Sequence, residues 1–179
     1  AAGTSVNIKL KTPSNKIKTV NITREKIKTK TVPYYELLNN NTAYIKLTQF
    51  KRKSSQEVKY ALIDLDSLAN NELSGLILDL RNNPGGLLRE CLEIVNLFVP
   101  KSDTILTAKG KNIAWNKTYV TQKEPLYETL PITVLINDRS ASASEIVAGC
   151  LQDLDRGVIL GKNSFGKGLI QQNQKLSYN

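Results

Sequence analysis

Short segments at the start of the chain alternate apolar and polar residues with a period of two. The alternation covers residues 6–12, 16–23 and 27–32, and lysine fills many of the polar positions. Such alternation is typical of half-buried antiparallel strands, whose second face contacts solvent. The sequence therefore predicts antiparallel strands in these three segments, with the lysines on their exposed faces.

After Pro33 the pattern changes to apolar strands that alternate with segments of helical periodicity. Ser54 and Glu57 have the spacing of a capping box at the start of the first predicted helix. The predicted helices are 54–69, 88–98 and 143–154, and the predicted strands are 44–50, 76–80, 105–108, 115–120, 132–136 and 158–160.

The order of these elements predicts the fold class. Apolar strands that alternate with helices form a mainly parallel sheet with helices over both faces. The predicted fold is therefore an α/β core with a mainly parallel sheet, preceded by antiparallel strands. The length of 179 residues fits one such core and a small appendage.

Composition narrows the possible chemistry. The chain contains no histidine, which excludes Ser-His-Asp triads, Cys-His proteases, HExxH metalloproteases and His-ligated catalytic metals. Cys91 and Cys150 are too few for a disulfide scaffold or a cysteine-based zinc site, and both fall at core positions of predicted helices. We predict that both are buried thiols and that any hydrolytic reaction uses another base.

Positive charge is concentrated near the start of the chain. The formal net charge is +9, and residues 1–40 hold eight basic residues against Glu25 and Glu36. A basic sheet can bind nucleic acid, but no aromatic residue is interleaved with these lysines and no recognition helix follows. A nucleic-acid-binding module is therefore a disfavoured alternative.

Three predicted loops should meet at one edge of the sheet: residues 82–86, 140–144 and 163–168. Loops that follow parallel strands leave from the carboxyl edge, and right-handed crossovers return the chain to the opposite edge. Lys167 should therefore return close to Ser142.

A serine and a lysine that lie close together can replace the missing histidine. A neutral lysine amine within hydrogen-bond reach accepts a serine proton, and burial beside an apolar group such as Phe165 favours the neutral amine. Ser140, Ser142 and Ser144 all lie in the second loop, and their local order does not rank them.

Three motifs carry a family resemblance. They are L-D-L-R-N-N-P-G-G at residues 78–86, S-A-S-A-S-E-I-V-A-G at 140–149, and F-G-K-G at 165–168 followed by Gln171. In this order and spacing they resemble the carboxyl-terminal processing (tail-specific) serine proteases, over most of residues 22–172.

The resemblance implies a role for each motif residue. It makes Ser142 the nucleophile, Lys167 the general base and Gln171 the residue that orients the lysine. It implies no metal and no organic cofactor. The implied oxyanion donors are the backbone amides of Gly85 or Gly86 and of Ala143.

The resemblance also implies a domain organisation and a function. Residues 32–179 would form a crotonase-like or ClpP-like protease core that continues beyond residue 179. Residues 1–31 would be the end of a PDZ-like domain and a linker, and such domains capture the C-terminus of a protein substrate by strand addition. The chain is expected to be a serine endopeptidase that cleaves proteins or peptides near their C-termini through an acyl-enzyme. The expected compartment is the periplasm or cell envelope, and a homo-oligomer is left open.

Other interpretations compete with this one. The chain would be a catalytically silent relative if the same edge only held a peptide or an apolar ligand. Ser142 and Glu145 also have capping-box spacing, in which case Ser142 would only cap a helix. Asp79 and Arg81 are predicted to anchor a strand end, and Asp153, near a helix C-terminus, is predicted to have a structural partner.

Overall fold

A computed structural model describes residues 1–25, 27 and 29–171 of the chain. In chain order the elements are β1 (Ser5–Lys11), β2 (Ile17–Thr23), β3 (Tyr34–Leu38), β4 (Thr42–Lys46), α1 (Ser54–Leu68), β5 (Gly75–Asp79), α2 (Leu88–Val95), β6 (Thr104–Ala108), β7 (Lys117–Val120), β8 (Ile132–Ile136), α3 (Ala143–Asp153) and β9 (Val158–Gly161).

The first two strands form an antiparallel hairpin, as the alternation predicts, with Val6 opposite Ile22 and Ile8 opposite Val20. The third predicted strand is wrong, because residues 27 and 29–32 form no strand; Lys28 lies outside the described residues. The N–H groups of Thr31 and Val32 donate instead to the Glu57 carboxylate of α1, at 2.7 and 2.9 Å. The half-buried Glu57 side chain therefore accepts the N–H groups that would otherwise bond to a neighbouring strand.

A five-stranded sheet forms the centre of the fold, in the order β3-β4-β5-β8-β9. The last four of these strands pair in parallel, which confirms the mainly parallel sheet, and β3 pairs antiparallel with β4 at the edge. The sequence did not predict β3, whose exposed and half-buried residues show no alternation. Pairing with β4, after a turn at Asn40 and Asn41 with positive φ, makes it a strand.

The two faces of this sheet differ in burial. On one face Ile45, Leu78 and Val134 stand side by side and are fully buried. On the other face Ile77 and Thr133 are half-buried, and Val158 beside them is 65% exposed. The prediction that helices cover both faces of the sheet is therefore wrong for the described residues.

The helices bring the two cysteines into the core. Helix α2 packs against both α1 and α3, and Cys91 and Cys150 are buried free thiols, as predicted. Burial raises the pKa of the Cys150 thiol to about 11 and that of Cys91 further. Both sulfurs are therefore uncharged packing groups at neutral pH.

The predicted capping box at the start of α1 is wrong. The buried Ser54 hydroxyl has no hydrogen-bond partner among the described residues, and Glu57 binds the preceding segment. Glu90, from α2, accepts hydrogen bonds from the N–H groups of Lys53 and Ser55, both at 3.0 Å. A tertiary contact thus satisfies the donors at the helix start, which a local motif was expected to satisfy.

A second hairpin, formed by β6 and β7, lies outside the main sheet. The strand predicted at 115–120 begins at Lys117 instead, two residues later. The preceding residues form a 3-10 turn over Ile113–Trp115, which begins where the Asn112 side chain accepts the N–H of Ala114. Within the described parts of the chain, no helix has the length and apolar character needed to cross a membrane.

Candidate active site

The three predicted loops do meet at the carboxyl edge of the parallel strands. The N–H of Ala141 donates to the carbonyl of Asn83 at 3.0 Å, which joins the second loop to the first. The N–H of Phe165 donates to the carbonyl of Ser140, also at 3.0 Å, which joins the third loop to the second. The topology argument for this edge is therefore confirmed.

The structure distinguishes the three serines of the second loop. Ser140 and Ser144 are fully buried, and their hydroxyls donate to the carbonyls of Leu80 (2.8 Å) and Asn83 (2.9 Å). Ser142 instead lines two cavities that open at this edge. Of the three, Ser142 is the serine placed to meet a ligand.

Ser142 occupies a strained backbone conformation at the start of α3. Its φ is +56° and its ψ is −113°, a region that residues with a Cβ rarely adopt. Such strain costs free energy, and it persists where the surrounding structure holds it, often at functional sites. Here the Ser142 N–H donates to the Glu145 carboxylate at 2.6 Å, as in a capping box, which holds the turn in place.

The glycine turn packs directly against the Ser142 turn. A Cβ at Gly85 would lie 2.5 Å from the Ala141 carbonyl oxygen and 2.9 Å from both Ser142 Cβ and the Ala143 nitrogen. Gly85 also has φ +90°, which favours glycine. Only glycine at this position leaves room for the serine turn and its amides.

The glycine turn distinguishes the two glycines that the sequence offers as oxyanion donors. The Gly85 N–H donates to the buried Asn83 side chain at 2.9 Å, so it is already used. Among the described residues, the N–H groups of Gly86 and Ala143 have no acceptor. Free N–H groups beside a nucleophile are the donors that an oxyanion needs.

Glu145 connects the serine turn to the lysine loop, a role that its capping-box position alone did not predict. Besides the Ser142 N–H, its carboxylate accepts the N–H groups of Gly166 (2.6 Å) and Lys167 (2.9 Å) and the Ser164 hydroxyl (2.7 Å). We call this set the Glu145 network. It fixes the backbones of Ser142 and Lys167 to one side chain.

The Glu145 network depends on the carboxylate being ionised. Burial raises the pKa of Glu145, but the hydrogen bonds from Ser164, Gly166, Ser142 and Lys167 outweigh it and hold the pKa below its usual value. A carboxylate with a lowered folded-state pKa stabilises the fold above its unfolded pKa, and this contribution is lost as pH falls through the folded pKa. The network is therefore intact at neutral pH and breaks only in acid.

Replacing Glu145 by alanine should release the lysine loop from the serine turn. A hydrogen bond to a charged group contributes about 1.5–3 kcal/mol, so exchange of the Gly166 and Lys167 amide hydrogens should accelerate about tenfold or more. Hydrogen exchange followed by NMR measures this. Glu57→Ala is the matched control, because its carboxylate holds Thr31 and Val32; unchanged Gly166 exchange in Glu145→Ala would contradict the network.

Lys167 lines the same two cavities as Ser142. The predicted burial beside Phe165 is wrong, because Phe165 is 67% exposed and Lys167 is also exposed. The lysine loop turns at Gly166, where φ is +86° and the backbone N–H donates to the Glu145 carboxylate. This turn leaves the Phe165 side chain outside the core.

Gln171 lines the smaller cavity, of about 360 Å³, together with Ser142 and Lys167. On an extended strand Gln171 and Lys167 would share a face, but residues 163–171 form no strand. Between these two described side chains there is no hydrogen bond, so an orienting role for Gln171 stays a prediction.

Asp79 anchors the end of β5, as predicted. Its carboxylate accepts hydrogen bonds from the Arg81 guanidinium at 2.9 and 2.7 Å and from the Tyr44 hydroxyl at 2.6 Å. Burial raises the pKa of Asp79, but these bonds outweigh it and keep the carboxylate ionised. Asp153 is exposed at the end of α3, and no ion pair or side-chain hydrogen bond joins it to another described residue.

No group of three or more His, Cys, Asp or Glu side chains within residues 1–25, 27 and 29–171 is arranged to hold a metal ion. The Ser142 hydroxyl and the Lys167 amine lie at this edge together with the backbone N–H groups of Gly86 and Ala143.

Comparison with known proteins identifies relatives of the chain. Residues 41–179 match peptidase family S41. The chain is 36% identical over 174 residues to a carboxyl-terminal-processing protease of Picosynechococcus sp., which covers 94% of this chain and 40% of that protein. It is 35% identical to the carboxy-terminal processing protease CtpA of Bacillus subtilis, covering 94% of this chain and 35% of the relative. The chain therefore spans well under half the length of these relatives.

A solved structure agrees with the sequence matches. The photosystem II D1 C-terminal processing protease superimposes with a TM-score of 0.68 and 29% identity, over 96% of this chain and 47% of the other. The resemblance that the three motifs carried is thereby confirmed, and their loops meet in space as the topology requires. From its sequence and its fold, the chain belongs to peptidase family S41.

Proposed function

We propose that this chain is the core of a serine endopeptidase that cleaves protein substrates near their C-termini. One observation carries the proposal: Ser142 and Lys167 line the same two cavities, and the Glu145 carboxylate accepts the backbone N–H of both. The names of the relatives, which are processing proteases, support the same activity.

In the proposed reaction the neutral Lys167 amine takes the proton of the Ser142 hydroxyl as its oxygen attacks the scissile carbonyl carbon. The carbonyl oxygen becomes an oxyanion, which accepts hydrogen bonds from the free N–H groups of Gly86 and Ala143. Lys167 then returns the proton to the leaving amine as the C–N bond breaks. Water hydrolyses the acyl-enzyme by the same steps, with Lys167 again as the base.

The exposure of Lys167 indicates what the substrate must contribute. Desolvation favours the neutral form of a lysine amine. A peptide lying in the two cavities beside Ser142 would cover the amine, so substrate binding itself would supply the apolar surroundings that Phe165 does not provide. Gln171, at the wall of the smaller cavity, is the proposed partner that orients the amine.

The domain organisation is part of the proposal. We assign residues 1–31 to the end of a PDZ-like domain and its linker, and residues 32–179 to the protease core. The β1–β2 hairpin supports this assignment, because its apolar face, which includes Leu10 (48% exposed) and Ile22 (45% exposed), needs further structure to cover it. A PDZ-like domain would present the substrate C-terminus to the core. An extracytoplasmic compartment follows from the family resemblance alone.

Labelling with a fluorophosphonate tests the nucleophile. The full-length protein should gain one covalent adduct, and peptide mapping by mass spectrometry should locate it on Ser142. Labelling that persists in Ser142→Ala, or that maps to Ser140 or Ser144, would contradict the assignment. Peptide binding with neither adduct nor turnover would instead favour a catalytically silent relative.

A further inference from the structure

The larger of the two cavities, about 770 Å³, lies between the β6–β7 hairpin and the candidate catalytic pair. In the hairpin register Ala108 stands opposite Lys117, and Leu106 stands opposite Tyr119. Residues two apart on a strand share a face, so these four side chains form one wall, and all four line the cavity. The wall combines apolar surface with a cation.

The charge of this cavity is positive. Lys109, Lys117 and Lys167 line it, and none of its described lining residues is Asp or Glu. Neither hairpin lysine forms an ion pair with a described residue, and Lys117 Nζ lies 4.9 Å from the centre of the Tyr119 ring. The Glu145 carboxylate, at the same edge of the sheet, already accepts four hydrogen bonds. The cavity therefore has cations available for a ligand.

The tip of the hairpin is ordered by its own hydrogen bonds. Asn116 accepts the N–H of Gly110 at 2.9 Å, and Asn112 accepts the N–H of Ala114 at 3.0 Å. These bonds hold Trp115 at the rim of the cavity, with 66% of its surface exposed. An exposed tryptophan beside lysines that form no ion pair with a described residue offers an apolar contact and a charge contact to the same ligand.

We propose that this cavity binds the part of a peptide substrate that carries a carboxylate, and that Lys109 and Lys117 select for it. The proposal rests on the proposed endopeptidase function and adds a substrate class to it. The apolar wall contacts the neighbouring side chains of the peptide, and the two lysines attract the side-chain carboxylate of an aspartate or a glutamate.

Continuity with the catalytic pair favours a peptide over an anionic membrane as the ligand. Ser142 and Lys167 belong to the same cavity as the hairpin lysines. A chain that fills the cavity therefore reaches the serine hydroxyl, whereas a membrane surface would contact only the exposed tip at Ile113 and Trp115.

Binding to the full-length Ser142→Ala variant tests the preference separately from hydrolysis. The probes are short fluorescein-labelled peptides of alanine and leucine with one glutamate at each position in turn, matched to peptides with glutamine there. We expect the best glutamate peptide to bind about three- to tenfold more tightly than its glutamine partner at low salt, because each exposed ion pair contributes modestly. The advantage should shrink in high salt.

Lys109→Gln with Lys117→Gln should remove the preference, and Lys59→Gln, on the exposed side of α1, is the matched control that should retain it. Equal affinity for all matched peptides, or no binding, would overturn the proposal. A glutamate preference that survives in the double lysine variant would also overturn it. The same holds if anionic lipid vesicles bind in a way that requires both lysines while the peptides show no glutamate preference. Peptide hydrolysis by the wild-type protein is measured in parallel. If the wild-type protein hydrolyses no peptide but the glutamate preference is present, the endopeptidase function is refuted and the carboxylate-binding cavity is retained.

Discussion

Ser142→Ala and Lys167→Met should each lower the rate of peptide hydrolysis by the full-length protein by about a thousandfold or more. Loss of a nucleophile removes the acyl-enzyme route, and loss of a general base leaves the hydroxyl protonated. Methionine resembles the lysine side chain in length but cannot accept a proton. The measurement is kcat with a saturating peptide, since the reacting groups act after binding.

Two positions away from the site provide controls of the same residue type. Ser67, exposed on α1, and Lys162, exposed at the end of β9, lie outside both cavities. Ser67→Ala and Lys162→Met should keep kcat within about twofold, because exposed positions away from a site tolerate substitution. A Ser142→Ala protein with ordinary kcat would remove the serine from the mechanism, and a Lys167→Met protein with ordinary kcat would remove the lysine.

Gly85→Ala should lower kcat by about a hundred- to a thousandfold, the range observed when one oxyanion donor is lost. The new Cβ would lie 2.9 Å from both the Ala143 nitrogen and Ser142 Cβ, with backbone rather than a flexible side chain in its way. The serine turn must therefore move or the glycine turn must open. Either displacement would separate Ser142, the proposed nucleophile, from the Gly86 and Ala143 amides.

Gly149→Ala is the matched control for the glycine substitution. Gly149 lies in α3, the helix that begins after Ser142, and a Cβ there would meet nothing within 4 Å. Alanine is also the better helix former, by about 1 kcal/mol, so this variant should keep kcat and gain stability. Thermal unfolding of both variants separates a folding defect from a catalytic one. Full activity in Gly85→Ala would show that the close approach of the two turns is not needed.

The central strands and the meeting of three loops could be predicted because each rests on a strong local pattern. Residues 76–80 and 132–136 are nearly continuous apolar runs, short and rich in Leu, Ile and Val, which favour buried strands. Strand β8 occupies the second run, and β5 occupies the first with a shift of one residue. Once those strands are parallel, the chirality of the crossovers places the loops that follow them on one edge. The proximity of Ser142 and Lys167 therefore needed no knowledge of side-chain contacts.

The sequence could not predict features that depend on distant partners. Strand β3 exists because Tyr35 pairs across to Ile45, and the start of α1 is capped by Glu90 from another helix. The capping-box pattern at Ser54 is local and was overruled by this tertiary contact. Propensity describes what a segment prefers alone, and pairing in the folded chain decides among those preferences.

The environment of the candidate site was only partly predictable. Capping-box spacing indicated that Glu145 would bind the serine turn, but its contacts to Gly166 and Lys167 come from a loop about 20 residues later. Phe165 was expected beside the lysine because it is close in sequence, yet its side chain points to solvent. Motif order identifies which residues meet, whereas the direction of each side chain depends on the backbone turn between them.

Comparison of kcat for the Ser142→Ala, Lys167→Met and combined variants of the full-length protein tests the central claim most directly. If serine and lysine act as one unit, removing the second after the first costs nothing further, and the double variant should match the slower single variant. If the two losses multiply instead, Ser142 and Lys167 contribute independently, and the serine–lysine mechanism proposed for this fold is wrong.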